Sequence, residues 1–268
     1  MVEGFAASNI AWPNDALDEA LGLLPQLGFS GVEIAPRNIF DSWDMDAQEV
    51  RALRQRLGDA GLTCPSLQGI LFDVPGATLF GSKESRTHLH DHLSKVARLA
   101  GLIGARACVF GAPRQRDVGT LTQAEATAIA IDFFSALAPV FEEHGTAIAF
   151  EANAAHYGCN FVTTTRQAID LVRAIDRPGV RLQIDTGTIL LEGEDPRVLV
   201  EAAPLSVHAH VSEPDLRPIG QGNCDHARLA PSLKASGYRG FVSVEMRCTP
   251  DWAANLGRAA AVLQEHYA

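Results

Sequence analysis

The sequence predicts a single (β/α)8 TIM barrel, and three observations predict it. Strand-like apolar runs alternate eight times with segments of helical three-and-four spacing over 268 residues, with no leftover domain; a barrel of this kind uses about 250 residues as one domain. Four strand-like segments end on metal-ligand residue types: FEAN on Glu151, LQIDTG on Asp185, HAH on His210 and VSVEMR on Glu245. Their spacings of 34, 25 and 35 residues each equal about one βα unit. In a barrel the C-terminal strand ends share one rim, so these four would meet there. The main rival is a doubly wound sheet, and no GxGxxG follows the first strand to support a dinucleotide site.

The elements follow in order. A first strand near Gly4 to Ala7 leads to a helix with Leu17, Ala20, Leu21, Leu24 and Leu27 on one face. Gly28 and Gly31 bracket the turn into GVEIAP, a second strand ending on Glu33. The next helix presents Val50, Leu53, Leu57 and Ala60, and Gly61 stops it. Strand three spans Leu62 to Gln68, and a Gly- and Pro-containing loop precedes a helix with Leu89, Leu93, Val96, Ala97 and Ala100 in register. ARACVFG is the fourth strand, and its helix presents Ile129, Ala130, Phe133 and Leu137. TAIAFEAN is followed by a helix that threonines 163 to 165 can cap, with Ala168, Leu171, Val172 and Ile175 inward. VRLQIDTG precedes a helix with Asp195 as cap and Pro196 as first residue. VHAHVS is strand seven: on its pleat His208 and His210 share one face while Val207, Ala209 and Val211 share the other. Asp225 begins helix seven, FVSVEMR is strand eight, and Trp252 to His266 form the last helix.

Composition bounds the partners. The chain is 47% hydrophobic and 20% charged, with a formal net charge of -10 and no basic cluster. That balance argues against nucleic acid and favours a small-molecule partner. No apolar run approaches the roughly 20 residues of a membrane span, and the N-terminal stretch lacks signal-peptide character, so the expectation is a cytoplasmic protein without membrane contact. Five unpaired-looking cysteines without a CxxC fit free thiols in a reducing compartment. Homo-oligomerisation through exposed barrel helices is compatible with the sequence, but no patch identifies itself.

Three carboxylates and one imidazole favour one divalent cation with mostly oxygen ligands: Mn2+, Mg2+ or Co2+, with Zn2+ also compatible. Without a cation the converging carboxylates would repel one another. The ion would act as a Lewis acid holding a carbonyl and a neighbouring hydroxyl oxygen, and would stabilise the enediolate left when the adjacent C–H is deprotonated. Glu151 and Glu245 come from strands five and eight and could flank the substrate, one removing a proton and the other returning it. Asn153, Gln183 and Gln68 are candidate hydrogen-bond partners for substrate hydroxyls. Glu33 at the end of strand two and His208 on the inner face are candidate substrate contacts, and Tyr157 a candidate lid residue. Arg37, Arg217 and Arg247 are the cations placed to meet a phosphate or carboxylate. His88, His90 and His92 resemble a metal tract, but a helix puts only His88 and His92 on one face, and a solvated surface explains them better.

Across essentially the whole chain, and most strongly in FEANAAHYGCNFVTTT, LQIDTG, HAHVSEPDLRPIGQG and VSVEMR, the sequence resembles the sugar phosphate isomerase/epimerase superfamily with the xylose isomerase-like barrel, which includes ketose 3-epimerases and hydroxypyruvate isomerases. The resemblance implies one divalent metal on Glu151, Asp185, His210 and Glu245, with Glu151 and Glu245 as the acid/base pair. It selects His210 over His208, because the family's ligand lies three residues before the glutamate of an HxSE motif, here Glu213. Two positions depart from the ketose 3-epimerases: Thr188 stands where they usually have histidine, and Leu216 where they have arginine, with Arg217 one position further. The related AP endonucleases need additional histidine ligands, and Gln68, Gly111 and Thr188 do not supply them. The implied function is a metal-dependent sugar or sugar phosphate isomerase or epimerase working by proton transfer. The alternatives are a metal-dependent lyase on a cyclic polyol or dehydroshikimate-like substrate and a non-catalytic sugar-binding barrel.

Overall fold

A computed structural model, describing residues 2–222 and 224–268, follows this alternation. The strands are β1 (Gly4–Ser8), β2 (Gly31–Glu33), β3 (Ser66–Leu67), β4 (Ala107–Phe110), β5 (Ala147–Glu151), β6 (Val180–Asp185), β7 (Ser206–Ser212) and β8 (Phe241–Glu245). They form one parallel sheet in the order β2-β1-β8-β7-β6-β5-β4-β3. Its two ends nearly close on each other through bridges Gly31↔Thr63 and Ile34↔Leu67, with Val32 N donating to Thr63 O at 2.8 Å. β3 is shorter than the sequence suggests because Pro65 has no N–H to give the ladder.

The outer ring comprises α1 (Leu17–Leu23), α2 (Ala47–Asp59), α3 (Lys83–Ile103), α4 (Gln123–Glu143), α5 (Thr165–Ile175), α6 (Thr186–Leu191), α7 (Val198–Ala202), α8 (His226–Ala235) and α9 (Trp252–Val262). Local chemistry sets their starts. Asp46 with Glu49, Thr122 with Glu125 and Thr164 with Gln167 form capping boxes, each satisfying two otherwise orphaned N–H groups. Asp225 caps α8 as the sequence predicts. Asp195 accepts from Arg197 N, but the helix proper begins only at Val198. An extra short helix, α6, starts directly after β6 because Asp185 itself caps it through Thr188 N at 2.6 Å.

The faces of α2, α3 and α5 bury the residues expected, apart from a half-buried Ala60. On α4 the buried stripe is Ala126, Ala130, Phe134, Leu137, Ala138 and Phe141, and Ile129 and Phe133 lie half-exposed at its edge. Phe134 explains the rotation: it meets Phe110 and Phe150 on the outer face of the sheet, edge to face, at 5.2 and 5.4 Å. α4 is also 21 residues long with a mean hydropathy of 1.5 in its most apolar stretch, enough by those measures to cross a bilayer. Its apolar stripe packs against the barrel instead.

The barrel interior holds a buried polar layer beside a small apolar patch of Ala107, Val109 and Ala149. Glu33, Ser66, Gln68, Gln183, His208, His210 and Ser243 all point into it and are all buried. A register shift between β6 and β7 adds a residue before His208, so Val207 packs with Ala107, Val109 and Ala149. The alternation read from the sequence therefore holds from His208 onward.

Candidate metal centre and active site

The C-terminal ends of β5, β6, β7 and β8 bring Glu151, Asp185, His210 and Glu245 together, with one ligand atom of each within 4.8 Å of all the others. His210 Nδ1 stands 3.3 Å from Glu151 Oε1 and 3.3 Å from Glu245 Oε2. Glu151 Oε1 and His210 Nδ1 are buried without a hydrogen-bond partner among the described residues. Buried polar atoms normally find partners, and three oxygens and one nitrogen aimed at a common point are the donor set of a divalent cation. The residues present fit one.

Each donor is held from behind. Asp185 Oδ2 accepts from Ser212 Oγ at 2.6 Å, while Oδ1 caps α6. Glu151 Oε2 accepts from Asn153 Nδ2 at 2.8 Å. Gly111 leaves room for this carboxylate: a Cβ there would stand 2.6 Å from Glu151 Oε2. Arg116, fully buried in the turn after β4, donates Nη1 to the Glu151 carbonyl at 2.7 Å and Nη2 to Asn153 Oδ1 at 3.0 Å. Its guanidinium also lies 5.1 Å from the Phe150 ring centre. One arginine thereby orients the Asn153 amide, which in turn orients Glu151.

Glu33 lies beneath the centre and not on the rim as expected. It is fully buried, and its oxygens accept from Ser66 Oγ at 2.9 Å and Ser243 Oγ at 3.0 Å and meet His210 Nε2 at 3.0 Å. A carboxylate on Nε2 keeps the proton there and turns the Nδ1 lone pair toward the three acids. His208 is buried in the same network, with Nε2 at 2.9 Å from Ser66 Oγ and 3.5 Å from Glu33 Oε1. Glu33, His208 and His210 also satisfy the spacing of a metal cluster. Their nitrogens and oxygens are already engaged with one another, so we read that trio as a hydrogen-bonded support.

Electrostatics follows from this crowding. Burial pushes the Glu245 carboxyl up to about 7 against the lowering effect of His210, and burial followed by the Glu151 charge raises Asp185. Burial opposes a charge on His210, but Glu33 and Glu245 outweigh it and hold the imidazole well above its ordinary value. Burial likewise opposes ionisation of Glu33, yet the charge on His210 and hydrogen bonds from both histidines hold it below the usual carboxylate range. His208 is pulled down, chiefly by burial. In the ion-free chain a proton on His210 is thus the cation the acids gather around; a divalent ion would displace it.

Above the donors opens a cavity of about 470 Å3. Glu151, Asp185 and Glu245 form its floor together with Ser212, and Gln68, Asn153, Tyr157 and Thr188 line it. Gln68 reaches Ser8 Oγ, and Tyr157 accepts from Asp215 N at 2.9 Å. Gln183 is buried outside the cavity, its amide without a hydrogen bond among the described residues. Arg217 and Arg247 are exposed and do not line the cavity, and Arg37 is paired with Asp73 outside it. Arg114 lines it instead. His92, expected on a solvated helix face, is buried, and its Nε2 meets Ile70 O at 2.6 Å, supporting the loop that forms one cavity wall. Arg114 and Arg116 escaped sequence reading because PRQR in a loop has no periodicity; the only signal was its place after a barrel strand.

Residues 21–266 match the family model of the xylose isomerase-like TIM barrel, and the chain belongs to that family. No curated protein matches it in sequence. Among solved structures it is similar to an L-ribulose 3-epimerase, at 18% identity and TM-score 0.84 over 99% of this chain and 94% of that one. It is similar also to the D-psicose 3-epimerase of Clostridium cellulolyticum H10 with D-tagatose, at 16% identity and TM-score 0.79 over 98% of both chains. A third is the IOLI protein with a bound zinc atom, at 18% identity and TM-score 0.77 over 99% of both. At these identities the likeness is one of fold, and the neighbours include sugar epimerases.

Proposed function

We propose that the protein is a metal-dependent sugar or sugar phosphate isomerase or epimerase acting by proton transfer. The observation that carries the reading is the convergence of Glu151, Asp185, His210 and Glu245 within 4.8 Å at the floor of a small-molecule cavity. A divalent ion held by these four would supply Lewis acidity toward a hydroxy-ketone, acidifying the C–H beside its carbonyl. Glu151 and Glu245 both border the cavity on strands separated by β6 and β7, so they face a bound substrate from different sides. One takes the proton and the other delivers it, which inverts or relocates the stereocentre. Asn153 and Arg116 hold Glu151 in place through the transfer, and Gln68 and Asn153 remain as hydrogen-bond partners for hydroxyls. Glu33 keeps His210 in the tautomer a metal requires.

The test combines metal content with solvent exchange. About one divalent ion per chain, lost in Glu151→Gln and Asp185→Asn, together with deuterium uptake from D2O beside the carbonyl of a ketose or keto acid, supports the reading. Glu245→Gln should retain the fold and abolish exchange. Normal exchange in Glu245→Gln removes the acid/base pair, loss of water from the substrate would point to a lyase, and ligand binding without exchange to a binding protein.

A further inference from the structure

We propose that the cavity selects an anionic substrate, a small hydroxy-ketone carrying a carboxylate or phosphate group whose charge is received by Arg114. This rests on the isomerase or epimerase reading and adds to it the class of substrate.

Beyond Gln68, Gln115, Asn153 and Tyr157, the cavity wall offers a neutral polyol little. Ile70, Leu71, Phe72, Val109 and Leu216 form much of it, and Phe72 keeps 69% of its surface exposed at the mouth. The Thr188 hydroxyl, which could meet a sugar oxygen, is committed to the Ala152 carbonyl at 3.1 Å. Hydroxyls brought against such a wall lose water without gaining partners. Both positions at which the chain departs from the ketose 3-epimerases, Thr188 and Leu216, lie on this wall, and Arg217 stays outside it.

Among the described residues the same cavity has one cationic side chain. Among the described residues Arg114 is the only arginine or lysine lining it, and it has neither an ion-pair nor a hydrogen-bond partner for its side chain among them. The other rim arginines are otherwise placed: Arg37 is paired with Asp73 and donates to Phe40 O, and Arg217 and Arg247 lie near Asp215. On a chain of formal net charge -10, above three carboxylates, an anion needs such a local cation.

Arg114 is also mounted on a turn tied down just after it, at Gln115 and Arg116. Ala112, a non-glycine residue, takes the left-handed conformation at φ 46° and ψ 64°, which redirects the chain over the cavity into the turn Pro113–Arg116. Such strain persists only where surrounding structure imposes it. Here the buried Arg116 ties the turn to the Glu151 carbonyl, and Gln115 O accepts from Leu79 N at 2.8 Å. Arg114, solvent-exposed while lining the cavity, is thus carried on an anchored turn, and its planar fork suits a carboxylate or phosphate.

Three ligands of one carbon skeleton test this: D-fructose, D-fructose 6-phosphate and 5-keto-D-gluconate, titrated calorimetrically into the Mn2+-loaded protein. At least one acid should bind about tenfold or more tightly than D-fructose, the gain expected of one charged hydrogen-bonded contact. The stronger acid distinguishes phosphate from carboxylate. Arg114→Gln should bring the acid-to-fructose affinity ratio to within about twofold, and Arg114→Lys should keep most of it. Equal affinities for all three, a ratio that survives Arg114→Gln, or no binding of either acid would overturn the proposal. The two readings fail separately. Arg114-dependent acid binding with no C–H exchange on any ligand leaves the anion site and removes the isomerase; exchange on D-fructose with no preference for acids does the reverse.

Discussion

Glu33→Gln separates two roles for the most buried carboxylate of the site. Glu33 has no exposed surface and engages Ser66 Oγ, Ser243 Oγ and His210 Nε2 at 2.9 to 3.0 Å. Glutamine keeps the shape and an accepting oxygen but loses the charge that fixes the His210 tautomer and makes Nδ1 basic. Loss of such an outer partner weakens metal binding about 10- to 100-fold, or about 1.4 to 2.7 kcal/mol. Competition of Mn2+ or Zn2+ between the protein and a chromogenic chelator measures it directly, and a circular dichroism melt of the metal-free form checks the fold. KM at saturating metal should change little, because Glu33 does not reach the cavity. Unchanged metal affinity with a raised KM would refute this argument and restore Glu33 as a substrate contact.

His210→Ala should weaken metal affinity far more than His208→Ala, which removes a buried partner of Ser66 and should instead lower the melting temperature; the reverse order in a metal titration would mean that His208 is the ligand. The contribution of Glu245 to the stability of the metal-free protein, read as the difference in melting temperature from Glu245→Gln, should fall as pH rises from about 4.5 to 7; His208 and His92, pulled down by burial, act with the opposite sign in the same range. Glu245, pushed up to about 7 from 4.5, binds its proton more tightly folded than unfolded, so its contribution is complete below the unfolded value and is lost through the folded one. The loss is at most about 3 kcal/mol. His210, also raised, acts with the same sign at higher pH. Saturating divalent ion should flatten this difference between wild type and Glu245→Gln, and a difference that grows with pH in the metal-free form would contradict it.

The sequence by itself determined the barrel and which four residues meet at its rim. Both follow from local periodicity: a residue ending an apolar strand of a barrel has its rim, and often its face, decided by the strand pattern, so Glu151, Asp185, His210 and Glu245 could be placed without coordinates. Tertiary structure decided depth and reach. Glu33 ends its strand much as Glu151 does, yet β3 and β8 bring serines against it and it becomes a support under His210. Gln183 alternates correctly and is still shut away from the cavity. Among the arginines, PRQR supplied both the cation that lines the cavity and the buried anchor, while Arg217 and Arg247, exposed like Arg114, lie off the cavity. A loop's path depends on long-range bonds such as Arg116 to the Glu151 carbonyl, 35 positions away in the chain, and no local propensity encodes which of several rim cations will border the cavity.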